Sequence, residues 1–282
     1  MSSKLIPANP SDVLVVRDIT PNITTLSVPF LRHGVIYFGG RGTVVRLSGG
    51  GVLLFSPVAL TPEAVAVVER LGGGHGVKYI VAGDIEHHIF ISEWVKAYPE
   101  ARIIAPAGLP EKRAATKGSD PKISVDDKFF AVLADGQSMH KSISIAPDFD
   151  ADFSVVYNDV HPNKEIILLY KPDRVLIEAD LMMNLPATEQ YSRTDAETRH
   201  NVEHPNVINR IFYRLMTTTG SPLAGQRFNW YAVSSRNRPR FNEAIQLIDK
   251  WEFDILIPCH GDTIMENGKE AFRKLFAWHL EQ

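Results

Sequence analysis

Apolar positions along this 282-residue chain follow two rhythms. In the first third, β-branched and aromatic runs alternate with Gly, Pro and Asn: DVLVV, ITTLSVPF, GVIYFGG, TVVRLS and GVLLFSP. Short runs punctuated in this way predict strands. SGGG at 48–51 predicts a tight hairpin connection between two of them. In TPEAVAVVERLGGG the period changes to that of a helix, with Thr61 placed to cap it, Pro62 at its first position and Gly72 to stop it. VKYIVAG reads as the next strand, ISEWVKAYP as a helix ended by Pro99, and ARIIAPAG as another strand. This alternation predicts a layered α/β arrangement with helices packed on sheet.

Residues 111–128 are polar and broken by Gly and Pro, and read as a surface loop or short exposed helix. Strands resume with FFAVLAD, SISIAP, DFSVVYND, KEIILLYK and DRVLIEAD. After a polar stretch near 186–206, VINRIFYRLMTTTG and RPRFNEAIQLIDKW have helical spacing. FDILIPCHGD is a strand, and KEAFRKLFAWHLEQ closes the chain as an amphipathic helix. A strand block followed by helices occurs twice, which predicts a two-sheet sandwich with helices outside.

Composition narrows the classes. A length of 282 residues is ample for a large core, and 44% hydrophobic with 22% charged residues is ordinary for a globular protein. A net charge of −3 gives no overall footprint for nucleic acid or an anionic membrane, so neither is an expected partner. Cys259 stands alone, so no intrachain disulfide forms, which suits a reducing compartment. The start, MSSKLIPANPSDVLVV, lacks a secretory pattern, and no apolar run approaches bilayer length. The expectation is a soluble, cytoplasmic protein with a small-molecule substrate; nothing sets its oligomeric state.

The chemistry gathers at strand ends. VKYIVAG runs into Asp84, Glu86, His87 and His88; DRVLIEA runs into Asp180; FDILIP runs into Cys259 and His260. His161 lies in the turn NDVHPNKEI. Ligands on strand-end loops allow a rigid sheet to set their geometry. Imidazole with carboxylate suits zinc, iron or manganese, and such a set with a bound water is a hydrolytic centre.

The order of these features resembles the metallo-β-lactamase superfamily, from about residue 20 to 265. The window Ala82-Gly83-Asp84-Ile85-Glu86-His87 aligns with the family's His-x-His-x-Asp-His; Val160-His161-Pro162-Asn163 with its Gly-His-Thr-Pro-Gly turn; Asp180 with its later Gly-Asp; and ILIPCHGD with its last His. GTVVRLSGGGVLLFSP resembles the early hairpin, with Ser56-Pro57 in place of Asp-Thr-Gly. The resemblance implies an αβ/βα sandwich of two mixed sheets flanked by helices, as one domain over 1–282 with a substrate-selecting insertion around 186–230. It also implies metal ligands at His87, Asp180 and His260, with Glu86 in place of an Asp, and at His161. Ala82 and Asp84 replace two imidazoles of the family's first site, so one divalent ion is expected, zinc first, with iron or manganese as alternatives. The pattern is closest to a divergent branch in which Glu-His replaces most of the first motif and a Glu, here Glu165, precedes the strand leading to the Asp.

From this follows an expected hydrolase of a small ester, thioester or lactone. Asp180 or Asp84 would accept a proton, and Glu165 and His88 would face substrate. Two other readings stand beside it: a mononuclear iron or manganese enzyme doing oxygen or lyase chemistry, and a metal-free relative that binds a ligand. Plainer readings also exist for the residues. His87 and Glu86 could be a surface pair capping the next helix, worth under about 1 kcal/mol; the recurrence of Asp180 and His260 at strand ends favours ligation. His88 could simply pack, Asp84 could orient a ligand, Asp180 could cap LMMNLP, His161 could orient its loop, and Glu165 could be solvated. His200 and His204 have a helical ligand spacing but polar surroundings, and read as surface residues; His33, His75, His140 and His279 stand alone. Cys259 reads as packing. LGGGHG and FGGRG lack the Lys-Ser/Thr ending of a phosphate loop. Met182, Met183, Phe212, Tyr213 and Trp230 suit either core or an apolar pocket.

Overall fold

A computed structural model describes residues 9–116, 119–137 and 143–282. The first eight residues and His140 therefore lie outside the described residues.

Seven strands form the first sheet: β1 (Val15–Thr20), β2 (Ile23–Val28), β5 (Gly40–Arg46), β6 (Val52–Phe55), β7 (Val77–Val81), β8 (Arg102–Pro106) and β9 (Phe129–Leu133), in that spatial order. The first four pair antiparallel through hairpins, and β6 to β9 pair parallel because helices connect them. Those helices are α1 (Pro62–Gly72) and α2 (Ile91–Ala97), with α3 (Leu109–Ala115) after β8. A small hairpin, β3 (Leu31–Arg32) with β4 (Ile36–Tyr37), stands between β2 and β5. The second sheet holds β10 (Phe153–Asn158), β11 (Glu165–Tyr170), β12 (Val175–Ile177) and β13 (Ile255–Ile257); only β12 and β13 are parallel.

The two sheets face one another. Ile23, Val45, Leu53, Phe55, Tyr79 and Val81 of the first meet Val155, Tyr157, Ile166, Leu168, Val175 and Ile257 of the second. The outer face of the first sheet is covered by α1, α2 and α3, with Trp94 fully buried. That of the second is covered by α8 (Arg238–Asp249), α9 (Gly268–Leu275) and α10 (Ala277–Leu280). Burying each large apolar side chain contributes about 1.5–3 kcal/mol. The result is the expected αβ/βα sandwich. A fourth cluster joins the β3–β4 hairpin (Ile36, Phe38) to Leu185, Tyr191, Val202 of α5 (Ala196–Glu203) and Tyr213 of α6 (Val207–Leu215).

Several local expectations are corrected. Over 143–146 there is no strand, because Asp150 of α4 (Pro147–Asp152) takes the Ile145 N–H at 2.9 Å while Ile143 and Ile145 pack on the core. The polar stretch before α6 contains α5, capped by Asp195, whose carboxylate accepts from the Thr198 N–H. Residues 111–128 begin inside α3, where Arg113 is 1% exposed. The closing helix breaks at Phe276, which allows both Phe276 and His279 to pack on Phe241 of α8.

Candidate metal centre

Strand register brings distant residues level. In the parallel pair β12–β13, Ile177 lies opposite Ile257, so Asp180 and His260, each three residues further on, leave the sheet at the same height. The Cys259 N–H donates to Ala179 O at 3.2 Å and continues the ladder to that point. From the other sheet, β7 delivers the loop 82–90, tied across the sandwich by the Ile166 N–H to Gly83 O at 2.7 Å. His87, Asp180 and His260 each bring one ligand atom within 4.8 Å of the others.

Hydrogen bonds decide which ring nitrogens face inward. His260 Nδ1 lies 2.7 Å from Gly39 O. A carbonyl only accepts, so Nδ1 carries the proton and Nε2 presents its lone pair. His87 Nδ1 lies 2.9 Å from Asp84 Oδ1, which fixes its ring in the same sense. The two Nε2 atoms are 3.1 Å apart, and Asp180 Oδ1, also 3.1 Å from His260 Nε2, is buried without a hydrogen-bond donor. Two nitrogens bound to tetrahedral zinc at 2.0–2.1 Å stand about 3.3 Å apart. The donor set fits a divalent ion, and Asp84 and Gly39 supply the hydrogen bonds that metal-binding imidazoles need on their far side.

Electrostatics agree. Burial pulls His87 down, but the Asp84 and Asp180 carboxylates outweigh it and lift its pKa to about 9. Burial raises Asp180, yet His87 and His260 together hold its carboxyl far below the usual range. The pocket favours a cation. Without a metal, a proton on His87 Nε2 donated to His260 fills that role.

The His260 loop is held from behind. Gly261 sits at φ +86°, and a Cβ there would meet Asn184 O at 2.2 Å, so only glycine fits. Arg41, its side chain fully buried, donates from Nη1 to Pro258 O at 2.6 Å and Gly261 O at 2.7 Å, either side of His260. Its charge is matched by Glu189 at 3.3 Å. Gln190 bonds both Cys259 O and the Gly261 N–H at 2.9 Å, in the space that a side chain on Gly39 would need. Phe30 stacks on the His260 ring at 5.9 Å and Phe38 leans on it at 5.6 Å.

Other expected site residues lie elsewhere. Glu86 turns out of the cluster to Lys112, 2.6 Å away, which neutralises it. Asp84 is fully buried behind His87: its Oδ1 accepts from the Glu86 and His87 N–H groups as well as the His87 ring. That makes it an orienting group and not a proton acceptor beside a water. His161 stays outside the group of three, with Nδ1 accepting from the Asn163 N–H at 3.3 Å. Burial lowers its pKa and holds it neutral. His88 does not face substrate: it is 5% exposed, its carbonyl accepts from Arg113 at 2.7 Å, and burial followed by the Arg113 charge lowers its pKa to about 4. Glu165 is neither solvated nor open to substrate. It is fully buried, and its Oε1 accepts from the Ala179 N–H at 2.8 Å.

Sequence reasoning missed Glu178, which is also fully buried and whose Oε2 accepts from the Met182 N–H at 3.3 Å. Burial above all, then neighbouring carboxylate charge, raises the Glu165 and Glu178 carboxyls well above the usual range. The available signal was a Glu in the middle of the apolar run VLIEA. Arg41, likewise missed, showed only as a charge between glycines in FGGRG. Of the aromatic and Met positions, Met182 is core. Phe212 and Tyr213 join the hairpin cluster, and Trp230 packs on His279 and under Arg238.

The fold has relatives in three dimensions. The metallo-β-lactamase from Hirschia baltica superposes with a TM-score of 0.54 over 94% of this chain and 97% of its own, at 10% identity. The DIM-1 metallo-β-lactamase gives 0.52 over 94% and 97%, at 12% identity. The chain has the metallo-β-lactamase fold. Rubredoxin oxygen:oxidoreductase from the anaerobe Desulfovibrio gigas shares that fold with a TM-score of 0.56 and 12% identity, over 94% of this chain and 61% of its own. Residues 35–108, which include Asp84 to His88, match the family model described as a domain of unknown function, DUF4336. No curated protein matches in sequence. This metallo-β-lactamase-fold chain carries no helix, among the described residues, long and apolar enough to cross a membrane.

Proposed function

We propose that the chain is a metal-dependent hydrolase of a small ester, thioester or lactone, with one divalent ion, zinc first, at His87, Asp180 and His260. The observation that carries this reading is the convergence of the inward-facing Nε2 atoms of His87 and His260 with Asp180 Oδ1, which has no hydrogen-bond partner among the described residues. A divalent ion held there supplies an acidified water and polarises a carbonyl. His87 and His260 hold it through Nε2, each oriented through Nδ1. Asp180 remains ionised beside them, its Oδ2 accepting from Asn163 Nδ2 at 2.5 Å. A carboxyl held so far below its usual range is a weak base, so Asp180 serves as ligand before proton acceptor. Phe30 and Phe38 exclude water from one side of His260. The whole chain acts as one domain in the cytoplasm, and the segment around 186–230 selects substrate, reaching the site where Phe212 meets Phe38 at 6.2 Å.

A second reading is an iron or manganese enzyme doing oxygen or lyase chemistry. Two His and one carboxylate with open positions also suit non-haem iron, and one fold neighbour is rubredoxin oxygen:oxidoreductase. Elemental analysis of protein purified without chelator separates the readings, followed by assays on ester, thioester and lactone panels and of oxygen consumption. Stoichiometric zinc with hydrolysis supports the first, and iron with oxygen consumption the second. Metal-free protein that folds unchanged and takes up no added zinc, iron or manganese overturns both in favour of a ligand-binding relative.

A further inference from the structure

Net charge conceals an uneven distribution. Residues 204–242 contain six arginines and no Asp or Glu, in a chain with 33 acidic and 30 basic residues. The same segment exposes Val207 (70%), Ile208 (50%), Ile211 (55%), Leu223 and Tyr231, half of the large hydrophobics exposed among the described residues. Val207, Ile208 and Ile211 share the outer side of α6, at positions i, i+1 and i+4. The inner side is committed. Asn209 is fully buried, donates to Val35 O at 2.9 Å and accepts from the Tyr37 N–H at 3.0 Å, so α6 is fastened to the β3–β4 hairpin. Val35, at that hairpin's turn, is exposed as well.

Two of the arginines are occupied: Arg240 pairs with Asp159 at 2.6 Å, and Arg238 lies over the Trp230 ring. Arg210, Arg214, Arg227 and Arg236 are exposed, and none of them forms an ion pair among the described residues. A short helix with aliphatic side chains on its outer side and its own exposed Arg210 and Arg214, in a segment rich in arginine, has the composition of an interfacial anchor. Aliphatic residues insert among acyl chains, while guanidinium groups meet anionic headgroups. A nucleic acid would call for exposed stacking aromatics, of which the segment offers Tyr231.

We infer that α6, through its outer aliphatic residues with Arg210 and Arg214, docks the protein on an anionic lipid surface. The expectation of no membrane partner came from the net charge, which averages this segment against an acidic remainder. The inference does not rest on the metal, so vesicle binding and metal loading fail separately.

The test is sedimentation of the full chain with phosphatidylcholine vesicles, with and without phosphatidylserine. Binding about ten-fold or more stronger to the anionic vesicles is expected, with loss on raising salt. Ile208→Asp with Ile211→Asp, and separately Arg210→Glu with Arg214→Glu, should abolish binding while circular dichroism and metal content remain unchanged. No preference for anionic vesicles, or equal binding by both variants, overturns the inference. So does a concentration-dependent dimer that disappears with Ile208→Asp and Ile211→Asp, which would make this face an interface between copies of the chain.

Discussion

The two halves of the site solve the same problem of buried charge in different ways. On one side, His87, Asp180 and His260 bring two ring nitrogens and a carboxylate oxygen to one spot, and the contacts with Asp84 and Gly39 orient the two imidazoles. On the other, burial raises the Glu165 and Glu178 carboxyls well above their usual range and lowers His161, so all three groups are pushed toward their neutral forms. Burying an unpaired charge is costly. One half meets that cost by attracting a cation and the other by retaining protons.

Breaking the cation-binding half should have the largest effect. His260→Ala or His87→Ala should weaken metal binding more than about 100-fold, read by calorimetry, because each removes a donor and leaves two. Asp84→Asn comes next: an amide oxygen still accepts from His87 but carries no charge. An affinity loss of about 10- to 100-fold is expected, together with a fall of the His87 pKa from about 9, read by NMR titration. Arg41→Met, which removes the clamp on Pro258 and Gly261 carbonyls, should lower thermal stability by about 2–4 kcal/mol, since it leaves Glu189 short of a partner and two buried carbonyls unmet.

Acidity sharpens the contrast. The raised His87 pKa means that the metal-free protein gains stability from its proton below the ordinary value of 6.5, and loses that contribution as pH rises through about 9. Metal must displace the same proton, so affinity should climb about tenfold per pH unit up to about 9 and then level. The other half should respond least. Glu178→Gln replaces a group already protonated, so stability near neutrality should shift by under about 1 kcal/mol in chemical denaturation with metal binding unchanged. A raised carboxyl pKa is a liability that grows above its unfolded value, so the variant should gain on the parent as pH increases. A large loss of metal in this variant would dissolve the distinction between the halves.

Residue spacing along the chain was enough to place strands, most helices and the sandwich, since these depend on local periodicity and capping: Thr61 does cap α1, and the Ala64 N–H donates to its hydroxyl at 3.2 Å. It was also enough to single out His87, Asp180 and His260, since each ends an apolar strand and strand ends in this architecture lie at one edge. It misplaced Glu86, His88 and Glu165. Their roles depend on Lys112, Arg113 and Ala179, partners that sequence distance conceals.

What only the tertiary structure decided is the direction of each polar group. The parallel register of β12 on β13 sets Asp180 level with His260, and Gly39 O, 221 residues away in sequence, selects the ring nitrogen that faces inward. A carboxylate or imidazole in a sequence has two or more donor atoms and free rotation. Its chemistry becomes definite when packing and hydrogen bonds from remote segments fix one orientation.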